Sequence, residues 1–266
     1  MTSEKWKNNY SKQALEKDYK HYYFTIRGVL MMLGLLKKIR NYLIWGARAS
    51  SESYVSYLKK QGCKIGERVF FYGPQSSYVD ITRPWMIDIG NDVQITAGVT
   101  ILTHGYDWSV LKRVYGEVLG SSGGVSIGNN VFIGTQSTIL KGVKIGSNVI
   151  IGAGSLVNHD IPDNCVAAGN PCRVIMNLED YYKKRVSLQY EEAKEMVQKY
   201  RERYGKEIDD YSLREHFWLF SGKNTRLHDE WKQVMTLVGN EDECYQVLQR
   251  RNPYYQTKEE FLNSIK

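Results

Sequence analysis

A six-residue period constrains this chain more than any other feature of its sequence. Ile127-Gly128, Ile133-Gly134, Ile139-Leu140, Ile145-Gly146 and Ile151-Gly152 open successive hexads, and Val157 opens a sixth. The fifth places hold Val131, Ser137, Val143, Val149 and Ser155. The same frame occurs upstream at Ile89-Gly90, Ile95-Thr96 and Ile101-Leu102, with Val93 and Val99 in the fifth place. Amphipathic helices repeat at three and four residues, and half-buried strands at two. A period of six fits neither, but it fits a parallel β-helix, in which short strands stack coil upon coil. Each hexad sends one branched aliphatic into a prism, and the small residue after it lets the chain turn a corner. Three hexads make one triangular coil, so the repeat builds a short prism of about five coils.

Length, charge and cysteine usage bound the rest. At 266 residues the chain holds one large domain or a domain with attachments. Its net charge of +7 is spread over the first forty residues and over Lys183 to Lys206. Without a single basic stripe, solvated faces explain that charge better than a nucleic-acid partner does, with an anionic ligand or membrane surface as the functional alternative. Cys63, Cys165, Cys172 and Cys244 form no C-x-x-C pair and do not cluster with histidines. That argues against zinc and against a disulfide framework, so a reducing cytoplasm is the expected location. No signal peptide is visible, since the polar start contains Glu4. The longest apolar run, Val29 to Leu36, falls far short of the ~20 residues a membrane span needs. It is followed by Lys37, Lys38 and Arg40, then by Tyr42-Leu43-Ile44-Trp45. The expected structure there is a helix packed on the end of the β-helix; peripheral contact of residues 24–46 with a membrane surface is the alternative.

Three regions follow. Residues 1–62 read as an N-terminal helical segment, 63–176 as the β-helix, with irregular early coils around Phe71 to Trp85, and 177–266 as a C-terminal helical extension. Between Gly105 and Gly124 the period breaks, and inside a solenoid such an insertion must leave the prism as a loop. After Pro171, Tyr182, Val186, Tyr190, Ala193, Val197, Tyr200 and Tyr204 follow helical spacing, with Asn177 as N-cap and Gly205 as stop. Trp218, Phe220 and Trp231 are expected to pack.

Two of the five histidines fall inside the repeat. His104 ends the first hexad block at the root of the insertion, where a side chain is available to a groove; a hydrogen-bonded turn histidine would occupy the same place. His159 lies on a surface turn of the last coil. The hexads, Thr103-His104 before the insertion, and the run from Ile151 to Ile175, with its Gly-Ala-Gly-Ser, Asp-Ile-Pro-Asp-Asn and Ala-Gly-Asn-Pro-Cys-Arg segments, resemble the hexapeptide-repeat acyltransferases. Within them the chain looks most like the sugar O-acetyltransferases of the galactoside and maltose acetyltransferase group, over residues 63–176.

The resemblance implies an all-β core built as a left-handed parallel β-helix. It implies a homotrimer holding acetyl-CoA between neighbouring prisms, with no metal required. It makes His104 the catalytic base, which accepts the proton of an acceptor hydroxyl during attack on the thioester. The backbone N–H of Thr135 would face the oxyanion. Ala153, Asn158, His159 and Arg173 complete the cofactor-binding set, with His159 standing where the family has a lysine. On the acceptor side Ser76 and Pro84 replace the family's asparagine and aspartate, and Tyr78, Asp80, Arg83 and Trp108 are offered instead for a sugar. The expected function is acetyl-CoA-dependent O-acetylation of a sugar hydroxyl in surface polysaccharide biosynthesis. N-acetylation of an amino-sugar and a non-catalytic trimeric scaffold are the alternatives. A γ-type carbonic anhydrase would need three converging histidines, and this repeat has two.

Overall fold

The structure, a computed structural model, describes residues 31–223 and 225–265. Three parallel sheets form the faces of a prism. The first face stacks Lys64–Ile65, Ile87–Ile89, Val125–Ile127 and Lys144–Ile145. The second stacks Phe70–Phe71, Val93–Ile95, Val131–Ile133, Val149–Ile151 and Cys165–Ala168, and Arg173–Asn177 closes it as an antiparallel edge strand. The third stacks Tyr78–Val79, Thr100–Ile101, Thr138–Ile139 and Leu156–Val157. The chain therefore completes four coils and begins a fifth, where Ile161 bridges to Ile145.

The hexad isoleucines are the core. Ile89, Ile127 and Ile145 stack on one face, Ile95, Ile133 and Ile151 on the second, and Ile101, Ile139 and Val157 on the third, all buried. Coils this close leave little room at the corner after each isoleucine. At Gly128 a Cβ would come within 2.7 Å of the Gly146 backbone, which explains the small residue in the second place of the hexad. The corner between the first and second faces needs a positive φ, adopted by Asn130, Asn148 and Asn164 (φ 53°, 57° and 56°). Asparagine tolerates that region better than most residues. Here the three side chains also form a ladder, each amide donating to the next at 2.9 Å.

The end of the prism is closed by a different helix from the one expected. Residues 31–45 form helix α1, but its apolar side chains stay exposed, Leu43 at 79% and Met31 at 72%, and none joins a buried cluster. The cap is helix α2 (Ser51–Gln61). It is started by a capping box between Ser50 and Ser53 and stopped by Gly62 in the left-handed region. Tyr54 and Leu58 on its inner face are buried, and the Tyr54 ring meets Phe71 edge-on at 5.0 Å. The part of the expected packing helix before residue 31 lies outside the described residues. Among the described residues no helix is long and apolar enough to cross a membrane.

The insertion is more ordered than a plain loop. His104–Gly105 pairs antiparallel with Ser121–Ser122, and between them stands helix α3 (Trp108–Tyr115). Its Val110, Val114 and Tyr115 are 65–71% exposed. After the prism, helix α4 (Leu178–Tyr204) begins where expected, with the Asn177 side chain accepting from the Asp180 N–H, and ends at Gly205. Its apolar stripe is covered only in the middle. Ala193 and Val197 are buried, whereas Tyr182 and Tyr204 remain more than 60% exposed. Three shorter helices, α5 (Asp229–Met235), α6 (Glu241–Arg250) and α7 (Lys258–Asn263), fold with α4 around a second core. Phe220 and Trp231 are buried in it, and Trp218 packs at its edge.

Candidate active site

His104 stands at the corner leaving the third face, one residue beyond Thr103, whose side chain is fully buried. Its Nδ1 lies 2.5 Å from Oδ2 of Asp80, and the His104 side chain is 11% exposed. Asp80 comes from the coil beneath. Val79 pairs with Ile101, so the residues following each strand are stacked neighbours.

Asp80 corrects the sequence expectation. The sequence offers it as an acceptor-binding residue, but it is fully buried and both its oxygens are occupied. Oδ1 accepts from the Thr82 N–H at 3.0 Å and the Thr82 hydroxyl at 2.7 Å. Oδ2 accepts from the Thr103 N–H at 3.0 Å, the Thr103 hydroxyl at 2.5 Å and His104. No lone pair is left facing a ligand. Burial pushes the Asp80 pKa up, but the hydrogen bonds from Thr103 and Thr82 more than offset it and hold the carboxyl well below its usual range. An ionised carboxylate only accepts, so Nδ1 of His104 carries its proton and Nε2 presents a lone pair. This is the arrangement a general base needs, its tautomer fixed from behind.

The ring is flanked by aromatics of the insertion. Tyr106 meets His104 edge-on at 5.0 Å, and Trp108 lies 6.0 Å from Tyr106. Arg83 reaches the Thr82 hydroxyl at 3.4 Å, so it stands next to the same group. Tyr78 is 42% exposed on the first coil. The expected acceptor residues therefore separate: Asp80 lies behind the histidine, and Arg83 and Trp108 lie near it.

The expected cofactor residues divide between two corners. Asn158 and His159 leave the third face on the same side as His104, two coils further along. Arg173 joins them there. Its Nη1 donates to the Cys172 carbonyl at 2.7 Å and approaches Nδ1 of His159 at 3.1 Å; the same Nδ1 is 2.9 Å from the Asn158 side-chain oxygen. All three are exposed. Thr135 and Ala153 stand at the other corner, entering the third face, where the Thr135 carbonyl accepts from the N–H of Gly154 at 2.7 Å. The Thr135 N–H itself donates to no partner among the described residues. Within one chain, the length of the third-face strands separates Thr135 and Ala153 from His104.

The hexads that build this prism place the chain in a known class of transferases. A family described as bacterial transferase hexapeptide (six repeats) matches residues 124–159. Protein CapG of Staphylococcus aureus is 40% identical over 124 residues, 47% of this chain and 71% of that protein. A galactoside O-acetyltransferase of Escherichia coli (strain K12) is 44% identical over 100 residues, 38% of this chain and 48% of that protein. A solved structure described as galactoside acetyltransferase in complex with coenzyme A shares 30% identity over 55% of this chain and 83% of that one, with a TM-score of 0.37. The chain belongs to the hexapeptide-repeat acyltransferases, a family whose β-helix is left-handed. It spans about half the length of the E. coli enzyme it matches.

Proposed function

We propose that the chain is an acetyl-CoA-dependent O-acetyltransferase acting on a sugar hydroxyl in surface polysaccharide biosynthesis. The observation that carries this reading is the Asp80–His104 pair, which leaves a lone pair on Nε2 beside an aromatic-lined insertion. A sugar O–H gives its proton to Nε2 as its oxygen attacks the thioester carbonyl carbon. The negative charge that develops on the carbonyl oxygen is met by backbone donors such as the unpaired Thr135 N–H. The C–S bond then breaks, and the imidazolium returns the proton to the departing thiolate. Acetyl moves from sulfur to oxygen and no acyl-enzyme is needed. Two relatives bearing the names galactoside O-acetyltransferase and galactoside acetyltransferase support the sugar as acceptor.

Because Thr135 and Ala153 stand at one corner of the third face and His104 at the other, a neighbouring copy would bring the two halves together. A cyclic trimer does this three times over. Its residues 63–176 form the prisms, with 1–62 and 177–266 as attachments. Light scattering should give three times the 30.8 kDa chain mass; a monomer at working concentration would refute the shared site. Arg173, with His159 and Asn158, supplies the exposed polar cluster suited to the nucleotide phosphates. Arg173→Ala should weaken acetyl-CoA binding by about tenfold or more, since charge-assisted phosphate contacts are among the strong hydrogen bonds. Titration calorimetry reads this directly, and an unchanged affinity would remove Arg173 from the cofactor site.

A further inference from the structure

We infer that α1 is a membrane-surface helix that seats the chain on an anionic bilayer, so that the saccharide it modifies is one carried on a membrane lipid. The second half of this inference rests on the O-acetyltransferase reading above; the first does not.

Helix geometry gathers the exposed side chains of α1 onto one face. At about 100° per residue, Met31, Met32, Leu35, Leu36, Ile39 and Leu43 fall within an arc of about 140°. Each is between 48% and 79% exposed. Lys38 lies just outside one edge of the arc and Arg40 just outside the other, while Lys37 and Asn41 lie opposite. Leu33 and Ile44 fall beyond Arg40, so the apolar surface is broader still on that side. Tyr42 and Trp45, 61% and 49% exposed, are side chains suited to the level of lipid headgroups. A wide apolar face edged by cations and tipped with aromatics is the pattern of a helix lying in a membrane interface. Lys37, Lys38 and Arg40 interrupt the apolar residues in the middle of the described helix, where a membrane span would bury them, so the helix lies along the surface.

Charge decides between a bilayer and a second copy of the chain as the occupant. No acidic residue occurs between Asp18 and Glu52, whereas Lys37, Lys38, Arg40 and Arg48 all fall in this stretch. Copies packed face to face through α1 would bring the flanking cations of one against those of the next, with no carboxylate to pair them. An anionic headgroup layer neutralises all of them, and each basic residue near such a surface favours binding.

The attachment also gives the prism a direction. α1 is joined by a short 3-10 turn (Gly46–Ala49) to α2, and α2 packs on the first coil, against Lys64–Ile65 and Phe70–Phe71. Along the third face the order from that end is Tyr78–Val79, Thr100–Ile101, Thr138–Ile139, Leu156–Val157. His104 follows the second of these strands, and Asn158 and His159 follow the last. At ~4.8 Å per coil, the base lies about one coil from the membrane end and the phosphate cluster about three. The acceptor side thus faces the bilayer and the nucleotide side faces away. A lipid-borne saccharide meets His104 from the membrane, and acetyl-CoA arrives from the water.

Flotation of the full chain with vesicles tests this. The chain should float with vesicles of phosphatidylcholine containing a third phosphatidylglycerol, and much less with phosphatidylcholine alone. Leu36→Asp with Ile39→Asp should abolish flotation. Lys37→Glu, Lys38→Glu and Arg40→Glu together should weaken it on the order of a hundredfold. Both variants should keep the mass and CoA affinity of the original chain, which shows that the prism is intact. If the chain does not float, or if the variants change its mass instead, the bilayer is not the occupant, and in the second case α1 is a seam between copies. For the acceptor, one oligosaccharide is offered free and as a glycolipid in the same vesicles. The original chain should transfer acetyl faster to the glycolipid, and the Leu36→Asp, Ile39→Asp variant should lose that advantage while keeping its rate on the free sugar. Equal rates on both forms would overturn the lipid-borne acceptor. Flotation without transfer to either form would overturn the enzymatic reading and leave the membrane helix standing.

Discussion

His104→Ala should lower kcat by roughly 10²–10⁴-fold, the usual contribution of a positioned general base. The substitution removes the imidazole beside the insertion and leaves Thr135, Ala153 and Arg173 untouched, so CoA should bind as before. The structure strengthens this expectation, because His104 is held by a buried, ionised partner rather than merely exposed at a turn. Released thiol can be followed with a panel of sugars and oligosaccharides. A variant that still transfers acetyl at close to the original rate would move the base role to another group.

Asp80→Asn should reduce kcat by about 10²–10⁴-fold while leaving CoA affinity unchanged, through the tautomer rather than through any contact with substrate. The asparagine amide can donate to Nδ1, which then accepts and leaves the ring proton on Nε2, the atom that must take the acceptor's proton. Nitrogen NMR of the imidazole distinguishes this from a merely loosened fold. The same change should cost about 1–3 kcal/mol of stability, because buried donors from Thr103 or Thr82 lose an acceptor. The sign of its pH dependence follows from the depressed pKa. The ionised Asp80 contributes stability above the ordinary carboxylate value of about 4, and that contribution is lost as pH falls below it. The stability gap between the original chain and Asp80→Asn should therefore close in acid. A gap that is constant from pH 7 to pH 3 would mean that the Asp80 carboxyl is not held below its usual range.

The prism was legible because every hexad repeats one physical demand, a branched aliphatic inside and a small residue where the next coil passes. His104 was legible for a related reason, since it stands where the period stops. The role of Asp80 behind the histidine, rather than on the acceptor, was hidden because the first coil reaches its strand at Tyr78 through an irregular stretch that breaks the frame. Its neighbours became visible only once Val79 was paired with Ile101. A coil of twenty-two residues carried back from Leu102 lands on Asp80, beside the positions under Thr103 and His104. Helix α1 shows another limit. Apolar periodicity says that a face wants cover but not what covers it, and here α2 took the end of the prism. The same holds for α4, whose stripe includes Tyr182 and Tyr204 although its core needs only the middle of the helix.

The ladders run across the insertion without a break. Val125–Ile127 pairs with Ile87–Ile89 in full register, and the Gly123 N–H returns to the Thr103 carbonyl at 2.9 Å, next to the point where the chain left. Closing a loop costs little more as it lengthens, and this one borrows nothing from the stacked isoleucines. Residues 105–122 can therefore be lengthened, shortened or exchanged while the scaffold that holds Asp80 against His104 stays as it is. On the function proposed above, such a chain would separate what it recognises from how it reacts, and a new acceptor would be reachable by changing one segment of the sequence.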